Sequence, residues 1–195
     1  MELTAPNLLT LLRIATVPIL IWILGYTGPV ASAVGTGVFF IACITDYFDG
    51  YLARSYNQIT AAGKFLDPIA DKLVVATALI MLAAMTRVPR VPAWMVVVLI
   101  TREVLVTGLR AVAAAEGLIM GAEELGKYKM AIQVIAIHGL LMHYTYFHID
   151  FFAGGMFILW IAMAASVWSG IDFYLKAIRT LRPRVFSTSR RRAAI

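Results

Sequence analysis

Four of the 11 carboxylates in this chain fall between residues 46 and 71. Asp46 and Asp49 stand at i, i+3, and Asp67 and Asp71 at i, i+4. On helices, each pair shares one face. A lone aspartate in such a place is ordinarily a cap or a solvated helix end, and Asp67 alone could be first-turn charge favoured by the helix dipole. Four at paired spacing, with small residues between them, call for a different reading. Converging carboxylates repel one another, and one or two divalent cations relieve that repulsion. Carboxylate oxygens are hard ligands suited to Mg²⁺ or Mn²⁺. Gly50 follows Asp49 directly, Ala53 comes three residues later, and Gly63 precedes the second pair. Glycine inside a helix costs about 1 kcal/mol relative to alanine, so it ordinarily serves close approach of a ligand or of another backbone. Plain helix packing through small residues accounts for it as well. Arg54, one helical turn after Gly50, can reach an anionic group such as a diphosphate, or can act as an interfacial arginine. The D-x-D-x-D-G spacing of an EF-hand is not present here.

The elements that must position these residues are apolar helices. The chain has 195 residues and is 61% hydrophobic, with a mean hydropathy of +0.83. Soluble domains are nearer half apolar, so the excess faces lipid. Ile14–Thr45 (32 residues), Met130–Ile149 (20) and Phe151–Ile171 (21) contain no Asp, Glu, Lys or Arg. A spanning helix needs about 20 apolar residues. The first run is too long for one span, and Gly25-Tyr-Thr-Gly-Pro29 in its middle is turn chemistry. Lipid offers no hydrogen bonds to bare backbone, and long apolar runs lack the alternation of a barrel. The fold class is therefore all-α, a polytopic bundle. Six spans are expected, near 8–26, 31–53, 64–86, 92–114, 127–147 and 151–175, in a single domain over 1–195. Consecutive spans joined near residue 57 form an antiparallel hairpin that brings the two aspartate pairs together at one end.

Charge sets the orientation. The connections near 28 and 150 carry no Lys or Arg, and the one near 89 carries Arg87 and Arg90. Arg54, Lys64, Lys127, Lys129 and the tail from Lys176 to Arg192 lie at the other end. The positive-inside rule makes both termini cytoplasmic, with the aspartates opening to the cytoplasm. The net charge of +6 sits mainly in the 176–195 tail. A juxtamembrane basic cluster meets anionic head groups, so lipid is the expected partner and nucleic acid is not. Ala31-Ser-Ala33 resembles a signal-peptide cleavage site, but the next segment is equally apolar and the first helix is read as retained. The single Cys43 allows no intrachain disulfide. His138, His143 and His148 recur every five residues, which holds no helical face and does not suit zinc.

The run Asp46-Tyr-Phe-Asp49-Gly50-Tyr-Leu-Ala53-Arg54, then eight residues, then Gly63-Lys-Phe-Leu-Asp67-Pro-Ile-Ala-Asp71 resembles the signature of the CDP-alcohol phosphotransferases. Every specified position of that signature is matched. Pro6-Asn7-Leu-Leu-Thr10-Leu-Leu-Arg13 is similar to the start of the family's first helix. Thr101-Arg-Glu103, Gly108-Leu-Arg110, Gly126-Lys-Tyr-Lys129-Met-Ala-Ile-Gln133 and Trp168-Ser-Gly-Ile-Asp-Phe-Tyr174 resemble the branch that makes phosphatidylglycerophosphate. Met130 stands where that branch is expected to have a threonine.

The resemblance implies transfer of a phosphatidyl group from CDP-diacylglycerol to an alcohol, with release of CMP, at the cytoplasmic membrane of a bacterium. Two ions, Mg²⁺ or Mn²⁺, would be held by Asp46, Asp49 and Asp67. Asp71 would complete the second site and serve as the base for the attacking hydroxyl. Gly50, Ala53, Arg54, Thr60 and Gly63 are the expected CDP-diacylglycerol residues. The acceptor is expected to be glycerol 3-phosphate, its phosphate met by Arg110, Lys127 and Lys129, although topology alone also accounts for those lysines. Asn7, Thr10 and Arg102 are further candidates, and Arg102 and Glu103 lie deep enough to need a functional or paired role. A homodimer is expected on the same resemblance. Cardiolipin synthesis and phosphatidylinositol-phosphate synthesis stand as alternatives within the family. An intramembrane prenyltransferase fits poorly with both pairs on one hairpin. A cation transporter would want acidic residues through the membrane depth.

Overall fold

A computed structural model describes the backbone of residues 5–56, 61–115, 117 and 124–192, and the side chains of 10–45, 69–70, 72–115, 117 and 128–179. Among the described residues six helices follow in order: α1 (Ala5–Leu24), α2 (Pro29–Tyr56), α3 (Ala61–Ala84), α4 (Ala93–Ala115), α5 (Glu124–Met142) and α6 (Phe151–Arg192). The described residues are otherwise without regular structure except for a hairpin of two-residue strands between α5 and α6. In it Thr145 pairs with Asp150 and Tyr146 with Ile149, antiparallel.

The helix ends follow local chemistry. Gly28 sits at φ 126°, a conformation open to glycine. Pro29 then begins α2, at the first helical position, where a missing N–H costs nothing. At the far end of α4, Gly117 takes φ 71° and its N–H donates to the Ala114 carbonyl at 3.0 Å, a left-handed cap. The Asp150 carboxylate accepts the Ala153 N–H at 3.0 Å and caps the start of α6.

The helices pack mainly as α5 on α6, α1 on α2 and α3, α4 on α6, and α2 on α5. The α5–α6 seam is backbone against backbone. A Cβ on Gly155 would lie 2.7 Å from Leu140 N and 2.9 Å from Gly139 C, and one on Gly139 would lie 3.0 Å from Gly155 Cα. Small residues at such a seam let helices approach closely. The core runs through Leu20, Phe39, Leu79, Met95, Leu99, Ile137, Leu140 and Leu159, each at most 1% exposed.

Large apolar side chains also face outward on the helices, among them Trp22, Phe40, Ile80, Val97, Val104, Phe157 and Trp168. Among the described residues, one helical segment, Phe151–Arg179, is both long and apolar enough to cross a membrane. Thr10–Leu24, Pro29–Thr45, Lys72–Ala84 and Tyr128–Met142 are apolar helices of shorter length. At the end opposite the aspartates, Arg87 of the α3–α4 connection donates to Ser32 Oγ of α2 at 2.5 Å and lies over the Tyr144 ring. His143, also at this end, is buried against Tyr144 and Phe152.

Candidate functional site

The two aspartate pairs lie on consecutive helices joined by four residues, the short connection of antiparallel neighbours. Asp46 and Asp49 are on α2, ten and seven residues before its end at Tyr56. Asp67 and Asp71 are on α3, six and ten residues after its start at Ala61. With a rise of 1.5 Å per residue, Asp49 and Asp67 both stand about 10 Å from the connection, and Asp46 and Asp71 about 15 Å. The backbone thus sets the four at two matching levels. As a donor set, four carboxylates at paired levels on neighbouring helices fit hard divalent cations. The aspartate side chains, with those of Asn7, Gly50, Ala53, Arg54, Gly63 and Lys127, lie outside the described side chains, and Thr60 lies outside the described backbone. Among the described residues no group of three or more His, Cys, Asp or Glu could hold a metal ion.

A cavity of 350 Å³ opens beside this pair, between α3, α4, α5 and α6. On α3 the described part of its wall comprises Lys72, Val75, Ala76 and Leu79. Among the described residues, four cations line it, Lys72, Arg102, Arg110 and Lys129, with one carboxylate, Glu103. The volume suits a small polar molecule, and the charge suits an anion.

Glu103 organises the deep side. Its carboxylate accepts from the Lys129 ammonium, itself 4% exposed, and from Arg102 Nη1 at 2.9 Å. Arg102 also donates from Nε to the Ser166 carbonyl and from Nη2 to Ser169 Oγ, both at 2.9 Å. It lies over Gly170, where a Cβ would meet its Cγ at 3.0 Å. These bonds dock α4 and α5 onto one another and onto α6. Nearer the helix ends, the Lys72 ammonium donates to Thr107 Oγ1, whose own hydroxyl donates to the Glu103 carbonyl at 2.7 Å. The Arg110 guanidinium lies over the Phe173 ring at 5.6 Å, a cation–π contact.

Of the sequence candidates, Arg102, Arg110 and Lys129 meet in this cavity. Thr10 is buried on α1, outside the cavity lining. Lys72, Thr107, Gln133, Ser169 and Phe173 also line the cavity, and sequence reasoning did not select them as site residues. A signal for several was present. Glu103 and Thr107, and Lys129 and Gln133, stand at i, i+4, and Ser166 and Ser169 at i, i+3. Polar pairs at helical spacing in otherwise apolar helices mark faces turned toward one another.

Comparison with known proteins covers nearly the whole chain. The profile described as CDP-alcohol phosphatidyltransferase matches residues 3–168. The chain is 42% identical over 189 residues to a Bacillus subtilis protein named CDP-diacylglycerol–glycerol-3-phosphate 3-phosphatidyltransferase, covering 91% of this chain and 96% of that one. A Rickettsia bellii protein of the same name is 38% identical over 87% of this chain and 92% of its own. A Mycobacterium tuberculosis protein named probable phosphatidylglycerophosphate synthase is 36% identical over 90% of this chain and 82% of its own. With its aspartate-bearing helix pair and the cationic cavity beside it, the chain belongs to the CDP-alcohol phosphatidyltransferase family.

Proposed function

We propose that this enzyme transfers the phosphatidyl group of CDP-diacylglycerol to glycerol 3-phosphate, giving phosphatidylglycerophosphate and CMP. The observation that carries the choice of acceptor is the 350 Å³ cavity whose described lining holds four cations and one carboxylate. It is sized and charged for a small phosphorylated alcohol, and it adjoins the helix that bears Asp67 and Asp71. The names of the relatives support the same substrates.

Asp46, Asp49, Asp67 and Asp71 would hold two divalent cations, Mg²⁺ or Mn²⁺. Such ions supply charge neutralisation to a diphosphate and to the departing nucleotide. Gly50, Ala53, Arg54, Thr60 and Gly63 bind the nucleotide end of the donor, the glycines by leaving room and Arg54 by its charge. Arg110, Lys127 and Lys129 form the cationic surroundings of the acceptor phosphate, and Asn7, Thr10 and Arg102 are further candidate site residues. The acceptor hydroxyl forms the new P–O bond to the phosphatidyl phosphorus as the bond to CMP breaks, and its proton passes to Asp71. A general base of this kind contributes typically 10²- to 10⁴-fold.

The same proposal includes six membrane spans, both termini and the site in the cytoplasm, and residence in a bacterial cytoplasmic membrane. The outward apolar side chains on the helices support a lipid surround, and the Lys/Arg asymmetry supports the orientation. A homodimer is the proposed assembly, with a mass measurement in detergent as its test. The reaction is tested with purified protein, CDP-diacylglycerol and glycerol 3-phosphate, products read by mass spectrometry. Phosphatidylglycerophosphate and CMP should form in equal amounts, cease on chelation and return with Mg²⁺ or Mn²⁺. Full activity in the presence of chelator would overturn the metal assignment.

A further inference from the structure

We infer that Lys72 is a specificity-determining residue: it binds the phosphate of the acceptor. The inference rests on the reading that the acceptor is a phosphorylated alcohol. Its starting point is the unequal state of the four cavity cations. Lys129 is buried and neutralised by Glu103. Arg102 shares that carboxylate and spends its remaining donors on the Ser166 carbonyl and the Ser169 hydroxyl. Both also hold helices together, with Glu103 as their counter-charge.

Lys72 and Arg110 are different. Among the described residues neither has a carboxylate partner. The Lys72 ammonium is tethered by a neutral group, the Thr107 hydroxyl, which is itself oriented by its bond to the Glu103 carbonyl. A lysine has three N–H donors, so among the described residues two are left for a ligand, and no carboxylate there is in ion-pair contact with the ammonium. Arg110 stands three residues after Thr107 on the same face of α4 and is steadied by Phe173. Lys72 and Arg110 thus flank one part of the cavity from two helices, with the committed Glu103–Lys129 pair beneath. That arrangement suits a dianion and offers little to an uncharged alcohol.

Its tether selects Lys72 over Arg110 as the discriminating residue: the Thr107 hydroxyl holds the ammonium at the cavity wall without supplying a counter-charge.

Steady-state kinetics on the purified full chain test the inference, with glycerol 3-phosphate and CDP-diacylglycerol varied separately. Lys72→Met should raise the acceptor KM on the order of tenfold to a hundredfold, the scale of a charge-assisted hydrogen bond. The donor KM should stay close to that of the wild type. Lys72→Arg should recover most of the acceptor affinity. Thr107→Val keeps the charge but removes its tether, and should raise the acceptor KM by a smaller factor. An unchanged acceptor KM, a parallel rise in both KM values, or failure of Lys72→Arg to rescue would overturn the inference. If Lys72→Met does not fold, an unchanged acceptor KM in Thr107→Val overturns it instead. Should the wild type prefer another phosphorylated alcohol, the choice of glycerol 3-phosphate fails, and the same KM split measured with that alcohol still decides Lys72.

Discussion

At the scale of single residues, the proposed roles divide the four aspartates into metal ligands and Asp71, which also takes a proton. Asp71 is the last of the four in the chain, the second of the two on α3, and Lys72 after it lines the cavity. Asp71→Asn is therefore expected to lose on the order of 10²- to 10⁴-fold in turnover, the range of a general base, while donor binding persists. Asp46→Asn and Asp67→Asn should lose metal affinity and donor affinity with it, and excess Mn²⁺ should partly restore them. A metal titration of activity, with CDP-diacylglycerol binding followed separately, distinguishes the two behaviours. Recovery of Asp71→Asn at high metal would make Asp71 a ligand only. The cavity network gives a second ordering. Glu103→Gln leaves two cations, Lys129 and Arg102, without their shared counter-charge. Lys129→Met leaves Glu103 still paired with Arg102. Removing one partner of a buried charged pair is the costly direction, so Glu103→Gln should lower the unfolding temperature in detergent more than Lys129→Met does. The reverse order would contradict the network as described.

At the scale of elements, α5 and α6 meet backbone against backbone. Gly155→Ala puts a methyl group against the backbone of Gly139 and Leu140. Overpacking of this kind costs about 1–3 kcal/mol. Gly154 has open space at its Cβ position, so Gly154→Ala should be neutral or stabilising by up to about 1 kcal/mol through helix propensity. Thermal unfolding of the two variants side by side checks the seam, and equal stability would contradict it. Much of this architecture was legible in the sequence because apolar runs and turn chemistry act locally. Gly25–Pro29 marks the α1–α2 turn, and the aspartate spacing marks the α2–α3 pair. Two features were not legible. The α5–α6 connection is a tight hairpin whose turn residues, Phe147 and His148, take φ 51° and 65°. Such turns usually announce themselves by Asn-Gly or Asp-Gly. The last helix continues to Arg192, well past the expected end of its span near 175. Hydropathy marks where lipid stops, whereas Lys, Arg and Leu remain good helix formers beyond it. The cavity was half legible. Arg110 and Lys129 stood out as a cluster of positive charge, but the partner of Lys129 is 26 residues away on α4. That pairing depends on how α4 and α5 dock.

At the scale of the whole molecule, one end of the bundle carries the aspartates and the cation-lined cavity, and the other is closed by contacts among Arg87, Ser32 and Tyr144. The proposed orientation puts the first end in the cytoplasm, where CMP and a phosphorylated acceptor are soluble species. Cysteines placed at Asn57 and Gly28 in a Cys43→Ser background should label from opposite sides of the membrane, Gly28 from outside intact cells. External labelling at Asn57 would reverse the topology. The central claim is that a cation-lined cavity beside a four-carboxylate helix pair selects glycerol 3-phosphate as acceptor. The most direct measurement is an acceptor competition with purified protein, CDP-diacylglycerol and divalent metal, in which glycerol 3-phosphate, inositol phosphate, phosphatidylglycerol and glycerol are supplied together and the lipid products are identified by mass. The account predicts phosphatidylglycerophosphate as the dominant product, with CMP released in step and glycerol left unused. Dominant formation of cardiolipin, of phosphatidylinositol phosphate, or of phosphatidylglycerol made from free glycerol would contradict it.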